Sequence, residues 1–255
     1  MACRIYALAQ QKGGVGKTTT AINLGAALRE RGRSVLLIDL DPQGAFSAGL
    51  GLDPLALDRT VYDVLRSARS DLAGAIRQTD SGCDLAPANI DLAAAEIELV
   101  SEPGREQILK GKLESVVDKY DYVLIDCPPS LSLLTLNALT AARGVIIPVQ
   151  TQYFALRGMD LLFATVEKVQ ARLNRKLKVT GILPTMFDAR TTHGREVLEE
   201  LRETYGEQLF ETVIPLTVKL ADSTMAGKSI MSFHKQSPAA AAYRAVAEEV
   251  EKREH

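Results

Sequence analysis

The stretch of sequence that decides the fold is short and rich in glycine: Lys12-Gly13-Gly14-Val15-Gly16-Lys17-Thr18-Thr19. A triphosphate needs many backbone N–H donors at close range, and glycine leaves room for the phosphates to approach the backbone. In such a loop Lys17 is predicted to reach the β- and γ-phosphates, and the Thr18 hydroxyl to complete the shell of Mg²⁺. Thr19 is predicted to donate to the α-phosphate. The alternative is a glycine-rich turn that matches by chance.

The residues on either side of this stretch favour a phosphate loop over a chance turn. Ile5–Ala9 is a short apolar run that predicts a buried strand ending at the glycines. From Thr18 onward, apolar residues recur at helical spacing, and Gly32 stands where a helix would end. Val35–Ile38 is a second apolar run. Strand, helix and strand within this length predict a right-handed unit with two parallel strands.

The rest of the chain repeats this alternation. Four more apolar runs predict strands, at Tyr122–Ile125, Gly144–Val149, Val179–Leu183 and Thr212–Ile214. Helical patterns lie between or beyond them, at Leu161–Leu173, Arg195–Tyr205 and Pro238–Glu254, and the weakly patterned stretch 52–111 is predicted to be mostly helical. Near-continuous apolar strands that alternate with helices predict an α/β fold with a mostly parallel twisted sheet flanked by helices on both faces. Because no linker or repeat interrupts the chain, residues 1–255 are predicted to form a single domain.

Composition excludes several classes of protein. The 255 residues carry a formal net charge of −2, so contact with nucleic acid would need a local basic patch. The three cysteines, Cys3, Cys83 and Cys127, lie far apart, form no CxxC pair and are odd in number, which argues against a zinc site or a disulfide framework. No apolar run approaches the roughly 20 residues of a membrane-spanning helix, and the first residues lack a signal-peptide core. We therefore expect a cytoplasmic location.

One position departs from the general phosphate-loop pattern. The pattern GxxxxGK[ST] would place a glycine at position 11, where this chain has Gln11. A second lysine, Lys12, lies five residues before Lys17. A positive charge at that point is not needed to hold the chain's own nucleotide. The alternative is a solvated surface lysine without a role.

Several motifs along the chain resemble one known family. The stretch Lys12–Thr19 looks like the deviant Walker A loop of the ParA/MinD ATPases. Six further segments are similar to family motifs and occur in the family order: Asp39–Gly44, Leu85–Leu92, Glu96–Leu99, Val123–Ser130, Thr185–Thr191 and Val213–Pro215. The segments at 85–92 and 96–99 are typical of chromosomal ParA proteins, also called Soj. The resemblance covers nearly the whole chain and implies a P-loop NTPase fold.

The resemblance also implies roles for individual residues. Lys12 would reach across an ATP-bound homodimer to the partner's nucleotide. Asp41 would orient the attacking water, with Asp39 supporting the metal region. Asp126 ends an apolar strand, where an acidic side chain has no packing role, and it is predicted to hold Mg²⁺ through water. For Asp39 and Asp41 the alternative is a cap or turn at the end of a strand.

The adenine contacts are less readable from sequence. In similar ATPases the base lies against segments that correspond to Thr185-Met186 and Pro215–Thr217, so Pro215 and Thr217 are predicted as nucleotide contacts. The sequence also departs from the chromosomal pattern here, since Leu216 and Thr217 replace an arginine and an asparagine. Together these residues predict an enzyme that hydrolyses ATP in a Mg²⁺-dependent reaction.

The sequence leaves three cellular roles open for the predicted ATPase. ParA proteins dimerise on ATP, bind double-stranded DNA nonspecifically and are released when a ParB-like partner stimulates hydrolysis, which would make this chain a nucleoid-associated segregation or cargo-positioning ATPase. The resemblance points to Arg190 and Lys219 as DNA-binding positions. A separate acid-free cluster, at Lys168, Arg172, Arg175, Lys176 and Lys178, is either a solvated helix face or a basic patch.

The second role is that of a MinD-type membrane-associated regulator. The polar face of the last predicted helix carries several glutamates, which an anionic bilayer would repel, so packing against the domain is favoured and no membrane contact is expected. The third role is that of a redox relative such as the nitrogenase iron protein. Its cluster would need cysteines that this chain does not arrange.

Overall fold

The sheet is built from strands in both halves of the chain. The structure, a computed structural model, describes residues 3–152 and 159–253. Its strands are β1 Arg4–Leu8, β2 Val35–Asp39, β3 Arg77–Gln78, β4 Asp84–Ala86, β5 Tyr122–Asp126, β6 Gly144–Gln150 and β7 Lys178–Thr185. They lie in the order β3-β4-β2-β5-β1-β6-β7, and every neighbouring pair is parallel except β3 with β4. The predicted mostly parallel sheet is confirmed.

The helices connect these strands and cover the sheet. In chain order they are α1 Lys17–Glu30, α2 Ala45–Gly49, α3 Val61–Arg66, α4 Leu92–Glu98, α5 Ile108–Leu113, α6 Leu133–Ala141, α7 Asp160–Arg172, α8 Thr192–Tyr205, α9 Val218–Met225, α10 Ile230–Phe233 and α11 Pro238–Lys252. Several short 3₁₀ turns lie between them. The predicted helices at 161–173, 195–205 and 238–254 are thus present, each within a few residues of its expected bounds.

Both faces of the sheet are buried, and each has its own apolar core. On β5, Val123 and Ile125 pack into one cluster with α6 and α7, whereas Tyr122 and Leu124 pack into the other with α1 and α11. Alternate side chains of a strand point to opposite faces, so a strand with both faces covered must be apolar throughout. This is the physical reason that the central strands are visible in the sequence as unbroken apolar runs.

The C-terminal helix α11 packs on the domain, as predicted. Its stripe of Tyr243, Val246 and Val250 is buried against the core shared with α1. Two ion pairs join the polar sides of these helices, Arg31 to Glu251 at 2.6 Å and Arg244 to Glu30 at 2.6 Å. Within the described residues, no helix is long and apolar enough to cross a membrane.

Two sequence predictions about secondary structure were wrong. Thr212–Ile214 is not a strand. The segment runs extended beside β7, and the chain forms two isolated bridges there, one before the segment at Leu209 and one after it at Pro215. The stretch 52–111 contains α3, α4 and part of α5, but it also contributes β3 and β4, and β4 pairs with β2 inside the sheet. Strands of two and three residues are too short for an alternation pattern to reveal them.

Candidate nucleotide site

The site lies where three neighbouring strands end. Asp126 at the end of β5 is the register partner of Leu8 in β1 and of Asp39 in β2. The segments that follow these strands therefore emerge at one edge of the sheet: the glycine-rich loop, the Asp41 turn and the Pro128-Pro129 segment. In open α/β sheets, ligands bind at this carboxyl edge of the strands.

The glycine-rich loop has a backbone that favours glycine. Gly14 and Gly16 have positive φ angles of 72° and 90°, a region that side chains with a Cβ rarely adopt. The loop passes directly into α1, which begins at Lys17, so the first N–H groups of that helix point into the loop. Lys17 is only 7 % exposed. Lys12, by contrast, is exposed and forms no ion pair within the described ranges.

Thr18 and Asp126 form the centre of the site. The Thr18 hydroxyl donates to Asp126 Oδ2 at 2.6 Å. Asp126 is fully buried, and its other oxygen, Oδ1, has no hydrogen-bond partner in the part of the chain that the structure describes. Burial raises the pKa of the Asp126 carboxyl well above its usual range, with a further contribution from Asp39. A buried carboxylate oxygen without a partner, next to a threonine hydroxyl, fits a magnesium ion that arrives with a nucleotide.

The described ranges contain no sign of a larger metal centre. Among residues 3–152 and 159–253, no group of three or more His, Cys, Asp or Glu side chains is arranged to hold a metal ion. Magnesium in nucleotide sites is held by one or two carboxylates together with phosphate oxygens. A site made of Thr18 and Asp126 alone is therefore complete only with a phosphate group.

Asp39 is engaged by its own neighbours. Its Oδ1 accepts the backbone N–H of Asp41 at 3.0 Å, and its Oδ2 accepts the N–H and the hydroxyl of Ser47 at 3.2 and 3.0 Å. Burial raises the pKa of the Asp39 carboxyl to about 7. These contacts fix the turn that carries Asp41, whose Oδ1 in turn accepts the N–H of Gln43 at 3.0 Å. The metal-supporting role of Asp39 stays a prediction, while a positioning role is visible in the contacts.

A cavity of about 520 Å³ opens beside the phosphate loop, on the side where adenine was predicted. Its lining includes Gly16, Thr19, Thr185, Met186, Pro215 and Thr217. The Thr185 hydroxyl donates to the carbonyl of Val15 at 2.8 Å and so ties the end of β7 to the loop. Met186 has a positive φ of 54°, a strained conformation for such a residue and one that is common beside ligand sites. The structure thus brings Pro215 and Thr217 to the cavity that contains Gly16 and Thr19.

The two predicted DNA-binding residues lie near the outer rim of this cavity. Arg190 is exposed, borders the cavity, and donates to Asp188 through Nε at 2.9 Å and Nη2 at 2.8 Å. The Arg190 guanidinium holds the pKa of Asp188 at about 2. Lys219 lies in the first turn of α9, with its ammonium 3.7 Å from Asp222. Thr217 caps the same helix, because its side chain accepts the Lys219 N–H at 3.3 Å.

Sequence reasoning missed three contacts in this region. It did not connect Ser47 with Asp39, Thr185 with the phosphate loop, or Tyr243 with the nucleotide cavity. Tyr243 lies in α11 more than 200 residues from the loop, yet it lines the cavity, and its hydroxyl is 3.4 Å from Thr20 Oγ1. No local sequence pattern could reveal such pairings. A buried tyrosine hydroxyl needs a polar partner, and that need is the signal that could have pointed to Tyr243.

Comparisons with known proteins agree with this geometry. A family model described as an AAA domain matches residues 3–179. The chain is 47% identical over 248 residues to the sporulation initiation inhibitor protein Soj of Bacillus subtilis, covering 97% of this chain and 98% of the relative. It is 49% identical over 247 residues to the chromosome-partitioning ATPase Soj of Thermus thermophilus, covering 97% and 95%.

A solved structure is also similar over most of its length. A protein of Mycobacterium smegmatis, named cobyrinic acid a,c-diamide synthase and crystallised with an ATP analogue and magnesium, superposes with a TM-score of 0.86. It is 44% identical in sequence, and the match covers 96% of this chain and 93% of that one.

Proposed function

Since this chain belongs to the ParA/Soj-type partition ATPases of the ParA/MinD P-loop family, we propose that it is an ATP-gated dimer that binds DNA and moves cargo on it. Residues 1–255 would act as one ATPase domain in the cytoplasm, associated with the nucleoid. A ParB-like or other partner would stimulate hydrolysis of ATP to ADP and phosphate. The observation that carries the proposal is the Thr18–Asp126 pair beside a glycine loop that also bears an exposed Lys12.

The residues of the loop divide the work of holding ATP. The N–H groups of residues 13–19 would surround the phosphates, and Lys17 would neutralise charge on the β- and γ-phosphates. Thr18 and Asp126 would hold Mg²⁺, which supplies positive charge to the transferring phosphoryl group. Asp41 would orient the attacking water, and the hydrogen bond from its N–H to Asp39 fixes the turn from which it acts. Pro215 and Thr217 would contact the adenine.

The exposed Lys12 favours a dimeric mechanism. Its ammonium has no carboxylate partner in the described ranges, so it is free to pair with an anion outside its own chain. A cation supplied in trans to a γ-phosphoryl group can be worth about 10³ to 10⁵ in rate. Hydrolysis would then depend on formation of the dimer.

Arg190 and Lys219 would supply contacts to DNA phosphates. Both are exposed, and their carboxylate partners lie on the same surface segments. Exposed ion pairs contribute little stability, so a phosphate can replace the carboxylate at small cost. Contacts of these cations with DNA phosphates also predict that DNA binding weakens as salt is added.

The MinD-type alternative would place this ATPase on a membrane. Helix α11 already uses its apolar stripe for packing and its glutamates for ion pairs with α1. An additional apolar face for lipid is therefore not available on α11. We favour DNA as the surface that the dimer binds.

The name of the Mycobacterium smegmatis relative raises another alternative, an ATP-dependent synthase that forms amides. Such an enzyme would couple ATP cleavage to an acceptor carboxylate and ammonia. A partition switch would hydrolyse ATP without either. Turnover in a buffer that contains only ATP, Mg²⁺ and DNA therefore separates the two functions, and turnover that appears only with both acceptors would favour the synthase.

The proposal is tested by DNA mobility shift with ATP and with ADP, using duplexes of unrelated sequence. We expect ATP-dependent binding by wild type and loss of binding by Arg190→Ala/Lys219→Ala. Each lost phosphate contact makes the negative slope of log K against log salt shallower by about 0.9, so two lost contacts make it shallower by about 1.8. Arg202→Ala/Lys119→Ala removes two exposed cations elsewhere and is the matched control. No ATP-dependent shift by wild type would reject the DNA role, and sedimentation with anionic vesicles instead would favour the membrane alternative.

A further inference from the structure

A second cavity, of about 820 Å³, lies at the edge of the sheet opposite to the phosphate loop. Its walls come from the start of β1, the C-terminal end of α6 and the segment between α7 and β7, with one residue from α5. Cavities of this size hold small molecules. None of the residues predicted to bind nucleotide lines it.

The lining of this cavity is basic. Five cationic residues take part: Lys110, Arg143, Arg175, Lys176 and Lys178. All five are exposed, and none forms an ion pair with a carboxylate of the described residues. Acidic groups act on the cavity wall at Cys3, whose thiol pKa is raised to about 11 first by burial and then by Asp121 and Asp118. Asp121 is already held by Ser34, whose N–H and hydroxyl both donate to it at 2.8 Å. A concave surface lined by one sign of charge attracts the opposite charge.

A buried hydroxyl adds a second observation. Thr140 lines the cavity and is only 1 % exposed, yet its Oγ1 has no hydrogen-bond partner in the ranges that the structure covers. A buried hydroxyl without a partner is costly and calls for an explanation. Because Oγ1 itself is closed to solvent, a ligand oxygen in the cavity would supply the missing partner once the Thr140 side chain rotates toward it. Ile5, Ala142 and Leu173 add apolar surface beside it.

The segment that carries three of the five cations is already ordered. Asn174 Nδ2 donates to the carbonyls of Leu139 and Ala142, at 3.0 and 2.6 Å, and so caps the last turn of α6. Its Oδ1 accepts the N–H of Lys176 at 3.2 Å. The carbonyls that would otherwise repel an anion are thus satisfied, and the backbone loses little conformational entropy when a ligand binds.

We propose that this cavity binds a compact, multiply phosphorylated small molecule. The charges and the hydroxyl match phosphate, and the concave shape favours a small ligand over the outer surface of a DNA duplex. The acid-free cluster at 168–178 is therefore split between the cavity and the outer surface, because Arg175, Lys176 and Lys178 line the cavity whereas Lys168 and Arg172 do not. The site shares no residue with the ATPase site, so it stands whether or not the proposed function does.

The test is titration calorimetry with inositol hexakisphosphate at about 0.15 M salt, where weak surface attraction is screened, in buffer without magnesium. Four proteins are compared: wild type, Lys17→Ala, Arg175→Ala/Lys176→Ala, and the control Lys168→Ala/Arg172→Ala. We expect equal affinity for wild type, Lys17→Ala and the control, and a loss of roughly tenfold or more for Arg175→Ala/Lys176→Ala, because charge-assisted hydrogen bonds are lost. Thr140→Val, which keeps the shape of the side chain, should weaken binding without lowering the melting temperature.

Three outcomes would overturn the proposal. The first is no binding of inositol hexakisphosphate by wild type, and the second is an equal loss in the two double variants, which would mean diffuse surface charge. The third comes from a DNA mobility shift with ATP on the same proteins. A weaker shift for Arg175→Ala/Lys176→Ala than for the control would assign these cations to nucleic acid. An unchanged shift together with lost calorimetric binding supports the small-molecule site.

Discussion

The hydrogen bond between Thr185 and the phosphate loop gives the sharpest test of how the fold holds the site. Both Thr185 and Val15 are buried, at 2 % exposure each, and the hydroxyl donates to the Val15 carbonyl at 2.8 Å. Thr185→Val replaces the hydroxyl by a methyl group of similar size. The variant therefore removes one donor and leaves the packing against Gly16, where an added Cβ would lie 3.9 Å from Thr185 Cγ2.

The expected loss of stability is the cost of leaving the buried Val15 carbonyl without the Thr185 hydroxyl as its hydrogen-bond donor. Such a loss costs about 1–3 kcal/mol, and about 1.4 kcal/mol corresponds to a factor of ten in an equilibrium constant. We expect the free energy of unfolding to fall by roughly 1–2 kcal/mol. Because the loop would also lose part of its fixed conformation, we expect the affinity for ADP with Mg²⁺ to fall by roughly tenfold.

Two measurements check this, urea unfolding and nucleotide titration with a fluorescent ADP analogue. Thr180→Val is the matched control, since Thr180 lies in the same strand and its hydroxyl makes no hydrogen bond within the described ranges. The control should change neither quantity by more than about twofold or 0.5 kcal/mol. If Thr185→Val loses stability but binds nucleotide as wild type does, the strand does not position the loop and the reasoning fails.

Three further predictions concern the site and the core. Lys12→Gln should bind ATP normally yet lose about a thousandfold in turnover by phosphate release, and unchanged turnover would exclude a role in trans. Asp126→Asn removes a buried charge, so without metal the melting temperature should rise, but Mg²⁺ should no longer tighten ATP binding; equal Mg²⁺ dependence would exclude the metal role. Gly25→Ala would place a Cβ 2.9 Å from Leu37 Cδ2 and should destabilise by about 1–3 kcal/mol in urea unfolding. Gly111→Ala, with nothing within 4 Å, should stabilise by about 0.5–1 kcal/mol, and the same sign for both would contradict the packing argument.

Much of the fold could be predicted from local sequence patterns. The central strands β1, β2, β5 and β6 are buried on both faces, so their sequences are unbroken apolar runs. Helices α7, α8 and α11 each carry one apolar stripe. Strand β4 escaped detection because its three residues gain their strand conformation only from pairing with β2. Thr212–Ile214 was wrongly predicted to be a strand, since an apolar segment that runs extended beside β7 need not pair with it along its whole length.

The part of the candidate site that could be predicted from sequence is the part whose residues are contiguous or stand out from their neighbours. The phosphate loop is one stretch, and Asp126 stands out as a charge at the end of an apolar strand. The residues that position these groups are scattered: Ser47 holds Asp39, Thr185 holds Val15, and Tyr243 approaches from the last helix. Each is ordinary in its local sequence, and only its distant partner gives it a role.

The sequence by itself determined the phosphate loop, the alternation of strand and helix, and the odd lysine at position 12, because each depends on neighbours within a few residues. Only the tertiary structure decided which strands adjoin and which surfaces are shared. It placed Asp39 and Asp126 side by side in register, and it divided the basic cluster between an open helix face and a cavity completed by Lys110 and Arg143. The physical reason is that such contacts form between residues far apart in the chain, where the order of the strands, and not any local pattern, sets the distance.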